Sequence, residues 1–86
     1  MAWKIDWEDK ARKDLKSLDY PIQKKIVNYL RKRVTDNPRS YGKELGGNKA
    51  GLWRYRWDDF RIICQIQDEN IRVLVVRVGH RKNIYD

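Results

Sequence analysis

Three strand-length apolar runs follow one another almost without interruption in the second half of the chain, and no other feature restricts the fold so tightly. Residues 52–57, 60–67 and 71–78 are separated only by Asp58 and Asp59 and by Asp68, Glu69 and Asn70. Connections of two or three turn-forming residues leave no room for a crossover, so the runs predict consecutive antiparallel hairpins. In the third run Ile71, Val73 and Val75 alternate with Leu74, Val76 and Val78. A strand that is apolar on both faces belongs in the interior of its sheet.

Ahead of these runs the periodicity changes. Trp3, Ile5 and Trp7 alternate with Lys4 and Asp6, the two-residue period of a half-buried strand. Asp6 then precedes a segment in which Trp7, Ala11, Leu15 and Leu18 share one helical face, with Glu8 and Asp9 suited to the positive end of the helix dipole. Asp19, Tyr20 and Pro21 supply a turn and a new helix start, and Ile22, Ile26, Tyr29, Leu30 and Val34 form the apolar stripe of a longer second helix. Pro38 marks its end, because the residue before a proline disfavours helical geometry. Residues 39–51 contain Gly42, Gly46, Gly47 and Gly51 and read as a loop anchored by Leu45. The order β-α-α-β-β-β, with an antiparallel sheet and both N-terminal helices packed on one face, buries the apolar side of every element and defines an α+β fold. With 86 residues there is room for one core, hence a single domain, 1–86. Periodicity does not decide which sheet edge takes the first strand.

The formal charge is +8, which points to polyanionic partners. The type of cation shifts along the chain: residues 1–43 hold eight Lys and four Arg, residues 44–86 two Lys and six Arg. The planar guanidinium fork can grip a phosphate through two parallel hydrogen bonds, so specific phosphate contacts are expected in the second half and a solvated basic surface in the first. Other classes are poorly supplied. The longest apolar stretch, residues 73–76, is far short of a membrane span. The acidic residues near the N-terminus do not suit a signal peptide, and the lone Cys64 cannot pair internally; a cytoplasmic protein without membrane partner is expected. One His and one Cys do not make a zinc site, the glycine-rich loop lacks the ending of a nucleotide cradle, and no nucleophile motif is present. Neither a metal nor a small-molecule cofactor is expected.

The strongest local pattern is Trp53-Arg54-Tyr55-Arg56-Trp57, whose alternation sets three aromatics on one face and two guanidinium groups on the other. Arg61 lies close to the following turn and can join the charged surface, and the last strand continues through Gly79 to His80, Arg81 and Tyr85. Taken singly, each arginine reads as a solvated surface charge, and Trp53 and Trp57 read as core. Taken together, Arg54, Arg56, Arg61, His80, Arg81 and Tyr85 are the candidate site.

These stretches, with Leu45-Gly46-Gly47, Gly51-Leu52-Trp53, Asp59-Phe60-Arg61 and Val78-Gly79-His80-Arg81-Lys82-Asn83-Ile84-Tyr85, resemble the RelE/ParE toxin superfamily, and its RelE branch in particular. The resemblance covers nearly the whole chain. It implies the toxin of a type II toxin-antitoxin system, an endoribonuclease that cuts messenger RNA in the ribosomal A site and is held inactive by a RelB-like antitoxin with an acidic segment. Carried over, the family's basic strand pair falls on Arg54 and Arg56, its strand arginine on Arg61, and its terminal arginine and tyrosine on Arg81 and Tyr85. The implied chemistry is attack of an RNA 2′-hydroxyl on the adjacent phosphate, without a metal. Arg61 and Arg81 would clamp the phosphate, and His80 or Tyr85 would transfer protons. Arg54, Arg56 and His80 stand where the best-known RelE pattern has lysines, which assigns the arginines to charge stabilisation. The sequence ends at Asp86 without the C-terminal helix of some relatives, which implies a different antitoxin control. Two rivals share the fold: a ParE-like inhibitor of DNA gyrase, and a non-catalytic RNA-binding relative.

Overall fold

The computed structural model describes residues 2–47 and 51–84. In chain order the elements are β1 (Lys4–Trp7), α1 (Asp9–Lys16), α2 (Tyr20–Tyr29) running into a π-helical turn (Leu30–Val34), β2 (Lys43–Glu44), β3 (Trp53–Trp57), β4 (Phe60–Gln67), a 3-10 turn (Asp68–Asn70) and β5 (Arg72–His80). One five-stranded sheet has the order β1-β5-β4-β3-β2. The α+β class, the helical layer and the interior position of β5 agree with the sequence reading.

Two features of the sheet differ from it. β1 pairs parallel to β5, from Lys4 opposite Arg72 to Trp7 opposite Val75, so the sheet is mixed rather than wholly antiparallel. Ile5 and Trp7 thereby fall level with Val73 and Val75 and extend the helix-side core, which also takes Trp3. The glycine-rich loop also contributes a strand, β2, with Lys43 opposite Arg54 and Glu44 opposite Trp53. Gly42, at φ +70, permits this: a Cβ there would stand 2.2 Å from the Arg54 carbonyl oxygen.

The helices bury Ala11, Ile26, Leu30 and Val34 against Tyr55, Ile62, Cys64, Val73, Val75 and Val78. Helix α1 starts at Asp9 rather than at Trp7, because the Glu8 N–H donates to the Val75 carbonyl at 2.9 Å and prolongs the parallel ladder by one residue. Ile26, Leu30 and Val34 recur every fourth residue, a spacing that drifts by roughly 80° over eight residues of an ideal α-helix. The π turn, closed by the Thr35 N–H on the Leu30 carbonyl at 3.1 Å, widens the helix where that drift would turn Val34 from the sheet. Burial raises the pKa of the Tyr55 hydroxyl, which donates to the Pro38 carbonyl at 2.7 Å, and that of the Cys64 thiol, so neither ionises near neutral pH.

A second, smaller cluster lies on the face away from the helices, where Leu45, Ile63 and Ile84 are buried with Leu52 and Val76 packed around them. The bulge in the β4–β5 ladder, where Ile63 faces Arg77 but Cys64 faces Val75, leaves Val76 as the extra residue that reaches this outer cluster.

Candidate functional site

Strand alternation sends Tyr55 into the helix-side core with Trp53 and Trp57 packed against it, as expected, and sends Arg54 and Arg56 to the outer face. Trp53 is tied further by its indole N–H, which donates to the Tyr41 carbonyl at 2.7 Å. The hairpin pairs Arg54 with Ile63 and Arg56 with Arg61. Arg54, Arg56 and Arg61 therefore share one face across two strands. Opposed side chains in an antiparallel pair stand about 5 Å apart at Cβ, where like charges repel; an anion between Arg56 and Arg61 reverses the sign of that interaction.

The burial of these arginines corrects the expectation of a solvated charged face. Arg54 and Arg61 are each only 6% exposed and share the outer face with the second apolar cluster, whereas Arg56 is exposed. Arg61 Nη1 donates to the Phe60 carbonyl at 3.2 Å and the Asp58 carbonyl at 3.5 Å, which curls the side chain back toward the hairpin turn. That turn is tight: Trp57 pairs with Phe60, and Asp58 takes φ 54, a left-handed geometry that Asp tolerates better than most residues.

Arg81 approaches the same turn from β5. Its backbone N–H donates to the Asp59 carbonyl at 2.8 Å, and its Nε lies 3.8 Å from Asp59 Oδ1, both side chains being more than half exposed. The backbone fixes the residue while the guanidinium stays open to exchange of its weak ion pair for a phosphate. Gly79 stands opposite Arg61, and its role is space rather than an unusual φ: a Cβ there would lie 2.8 Å from Ile84 Cγ1. The Asn83 and Ile84 N–H groups both close on the His80 carbonyl, at 2.8 and 3.1 Å, so the chain folds back and seats Ile84 on the outer cluster. Tyr85 lies outside the described residues.

His80 is not brought to the arginines. It pairs with Phe60, and the two rings meet edge to face at 5.5 Å on the helix side of the sheet, beside Trp57. Its Nδ1 accepts the Lys82 N–H at 3.2 Å, which leaves Nε2 as the protonated nitrogen of the neutral ring. The candidate residues legible in the sequence do not include Asp59, which holds Arg81, or Ile84, which holds the terminal turn. A groove of about 250 Å³ in the helical layer, lined by Leu15, Tyr20, Lys24, Val27 and Arg31 among others, contains none of the candidate residues. Among the described residues no helix is long and apolar enough to cross a membrane.

A family model described as the ParE toxin of type II toxin-antitoxin systems, parDE, matches residues 5–85. Toxin RelG of Mycobacterium tuberculosis is 31% identical over 85 residues, covering 99% of this chain and 98% of its own. The crystal structure of the RelBE2 toxin-antitoxin complex of Mycobacterium tuberculosis superposes with a TM-score of 0.90 at 28% identity, covering 96% of this chain and 95% of that one. Isolated Escherichia coli RelE shares the fold, with a TM-score of 0.76 at 23% identity over 92% of this chain and 84% of that one. The chain belongs to the ParE toxin family of type II toxin-antitoxin systems, on its RelE-like branch.

Proposed function

We propose that this toxin is an endoribonuclease that cuts messenger RNA in the ribosomal A site, with the outer arginine face as its phosphate site. The observation that carries the reading is the register of the β3–β4 hairpin, which sets Arg56 opposite Arg61 on the face of Arg54. Three guanidinium groups on adjacent strands, with Arg81 at the turn, favour a group whose negative charge grows during reaction. In RNA cleavage the 2′-oxygen attacks phosphorus, the P–O5′ bond breaks, and the products are a 2′,3′-cyclic phosphate and a 5′-hydroxyl end. The 2′-hydroxyl proton passes to a base and the leaving 5′-oxygen takes one from an acid. Arg61 and Arg81 clamp the phosphate, and Arg54 and Arg56 stabilise its charge without a metal ion. Arginine stays protonated, so the proton given to the leaving oxygen falls to Tyr85 rather than to His80, whose ring packs on Phe60 on the opposite face of the sheet. The ribosome supplies the in-line alignment that an open sheet face does not.

The regulator is an antitoxin protein whose acidic segment covers this face, by charge complementarity and by analogy with the toxin-antitoxin complex of the RelBE2 relative. Primer extension on a defined message in a purified translation system, with and without ribosomes, tests the reading. Ribosome-dependent cuts are expected. Intact message beside inhibited DNA gyrase supercoiling would assign the chain to gyrase inhibition instead, and binding of RNA without either effect would make it a non-catalytic relative.

A further inference from the structure

The segment that carries His80 and Arg81 leaves the sheet without a strand neighbour on one side. β1 ends at Trp7 opposite Val75, and the last ladder bond on that edge is Glu8 N–H to the Val75 carbonyl at 2.9 Å. β5 nevertheless runs on to His80. A strand edge without a partner leaves backbone donors unsatisfied and the chain free to twist. Helix α1 covers this edge, and one side chain bonds to it: Asp14 Oδ2 accepts the Val78 N–H at 3.0 Å and the Arg77 Nε–H at 2.9 Å. Its side chain is 20% exposed, and the two donors lie immediately after the bulge at Val76.

We infer that Asp14 is a positioning residue for the proposed nuclease site, holding Val78 so that Arg81 reaches the hairpin turn. The inference rests on the nuclease reading. Downstream of Val78 the segment is tied by the β4 ladder, in which Gly79 faces Arg61 and His80 faces Phe60, by the Arg81 N–H on the Asp59 carbonyl and by Ile84 over Gly79, all on the β4 side or the outer face. Asp14 is the tie on the opposite edge among the described residues, so its loss lets the segment move while the turn contacts persist. Asn at this position keeps an acceptor for the Val78 amide, whereas Ala keeps none. Removing Arg77 breaks the ion pair and leaves the amide bond.

The test uses full-length protein that folds and binds its antitoxin, as wild type, Asp14→Ala, Asp14→Asn and Arg77→Gln. In NMR spectra Asp14→Ala is expected to shift the Arg81 backbone and Nε–H resonances and to speed exchange of the Arg81 amide, with Asp14→Asn and Arg77→Gln close to wild type. In the ribosome assay kcat should fall tenfold or more in Asp14→Ala with KM within twofold, and return to within threefold in Asp14→Asn. Unmoved Arg81 resonances in folded Asp14→Ala overturn the inference, and so does wild-type kcat despite moved resonances. A KM effect of equal size, or no rescue by Asn, also overturns it. If wild-type protein cuts no message, the nuclease reading fails, and the Arg81 resonances alone decide whether Asp14 positions the segment.

Discussion

Arg56 of β3 and Arg61 of β4 are register partners, so their side chains leave the same face of the sheet side by side. Both cations stand on the face that also carries Arg54, where an anion held between them would bind the folded state. A bound anion should therefore stabilise the folded state by mass action. Inorganic phosphate at millimolar concentration is expected to raise the wild-type Tm by about 2–5 °C, an effect expected for a small domain. Arg56→Ala should lose most of this response, while its stability in phosphate-free buffer changes by no more than about 0.5 kcal/mol because Arg56 is exposed. Equal phosphate responses in the two proteins would count against an anion between these arginines.

The bidentate pair of Arg39 with Asp68, at 2.7 and 2.9 Å, ties the loop before β2 to the turn before β5. The hydrogen bond from Arg39 holds the Asp68 carboxyl below the usual carboxylate range. A group whose pKa is lowered by folding adds stability above its unfolded value, about 4, and that contribution disappears as pH falls through the lower folded value. Both side chains are about half exposed, so the contribution is small and screened by salt. In thermal melts, wild type should exceed Asp68→Asn slightly at pH 7 in low salt and match it in acid or high salt. A gap that widens in acid would contradict this sign.

Core contacts give larger effects. Tyr55→Phe leaves the buried Pro38 carbonyl without its hydroxyl donor, and urea denaturation should show a loss of about 1–2 kcal/mol. Gly79→Ala forces Ile84 from its seat, since the added methyl would lie 2.8 Å from its Cγ1. Cleavage should drop in that variant more than stability does, because Ile84 closes the turn that follows Arg81. Unchanged cleavage would separate the turn from the site.

Much of this structure was legible in the residues. Two-residue and three-residue connections dictated the hairpins, and alternation dictated which faces of β3 carry Tyr55 and Arg56. The parallel pairing of β1 was not legible, because Trp3, Ile5 and Trp7 would bury their side chains on any free edge; the matching of Ile5 and Trp7 with Val73 and Val75 decides it in three dimensions. Nor was the burial of Arg54 and Arg61. They share the outer face with Leu45 and Ile84, distant in sequence and on segments with no period. His80 follows Arg77 by three residues, and the bulge at Val76 helps to set which face each side chain takes. Asp14 reads as one more helical charge until the end of β1 exposes the edge it covers.

The proton donor can be separated by pH profiles. Nε2 of His80 lies on the helix side of the sheet, whereas Tyr85 follows directly on Ile84, which is seated on the arginine face. Single-turnover cleavage should therefore fall at least tenfold in Tyr85→Phe, with the shape of its pH profile altered. His80→Gln should stay within about threefold of wild type; each factor of ten corresponds to about 1.4 kcal/mol in the barrier. The reverse ranking would assign the acid to His80.

The most direct measurement is end analysis of messenger RNA fragments from a purified translation system, comparing wild-type protein with Arg81→Ala. Arg81 is exposed and held by its backbone, so the variant should fold and bind its antitoxin as wild type does. Ribosome-dependent fragments carrying 2′,3′-cyclic phosphate and 5′-hydroxyl ends, reduced at least a hundredfold in the variant, are the predicted result; that factor is about 2.7 kcal/mol of transition-state stabilisation. Fragments of the same yield from both proteins, or none from folded wild type, would contradict an arginine-built RNA-cleaving site.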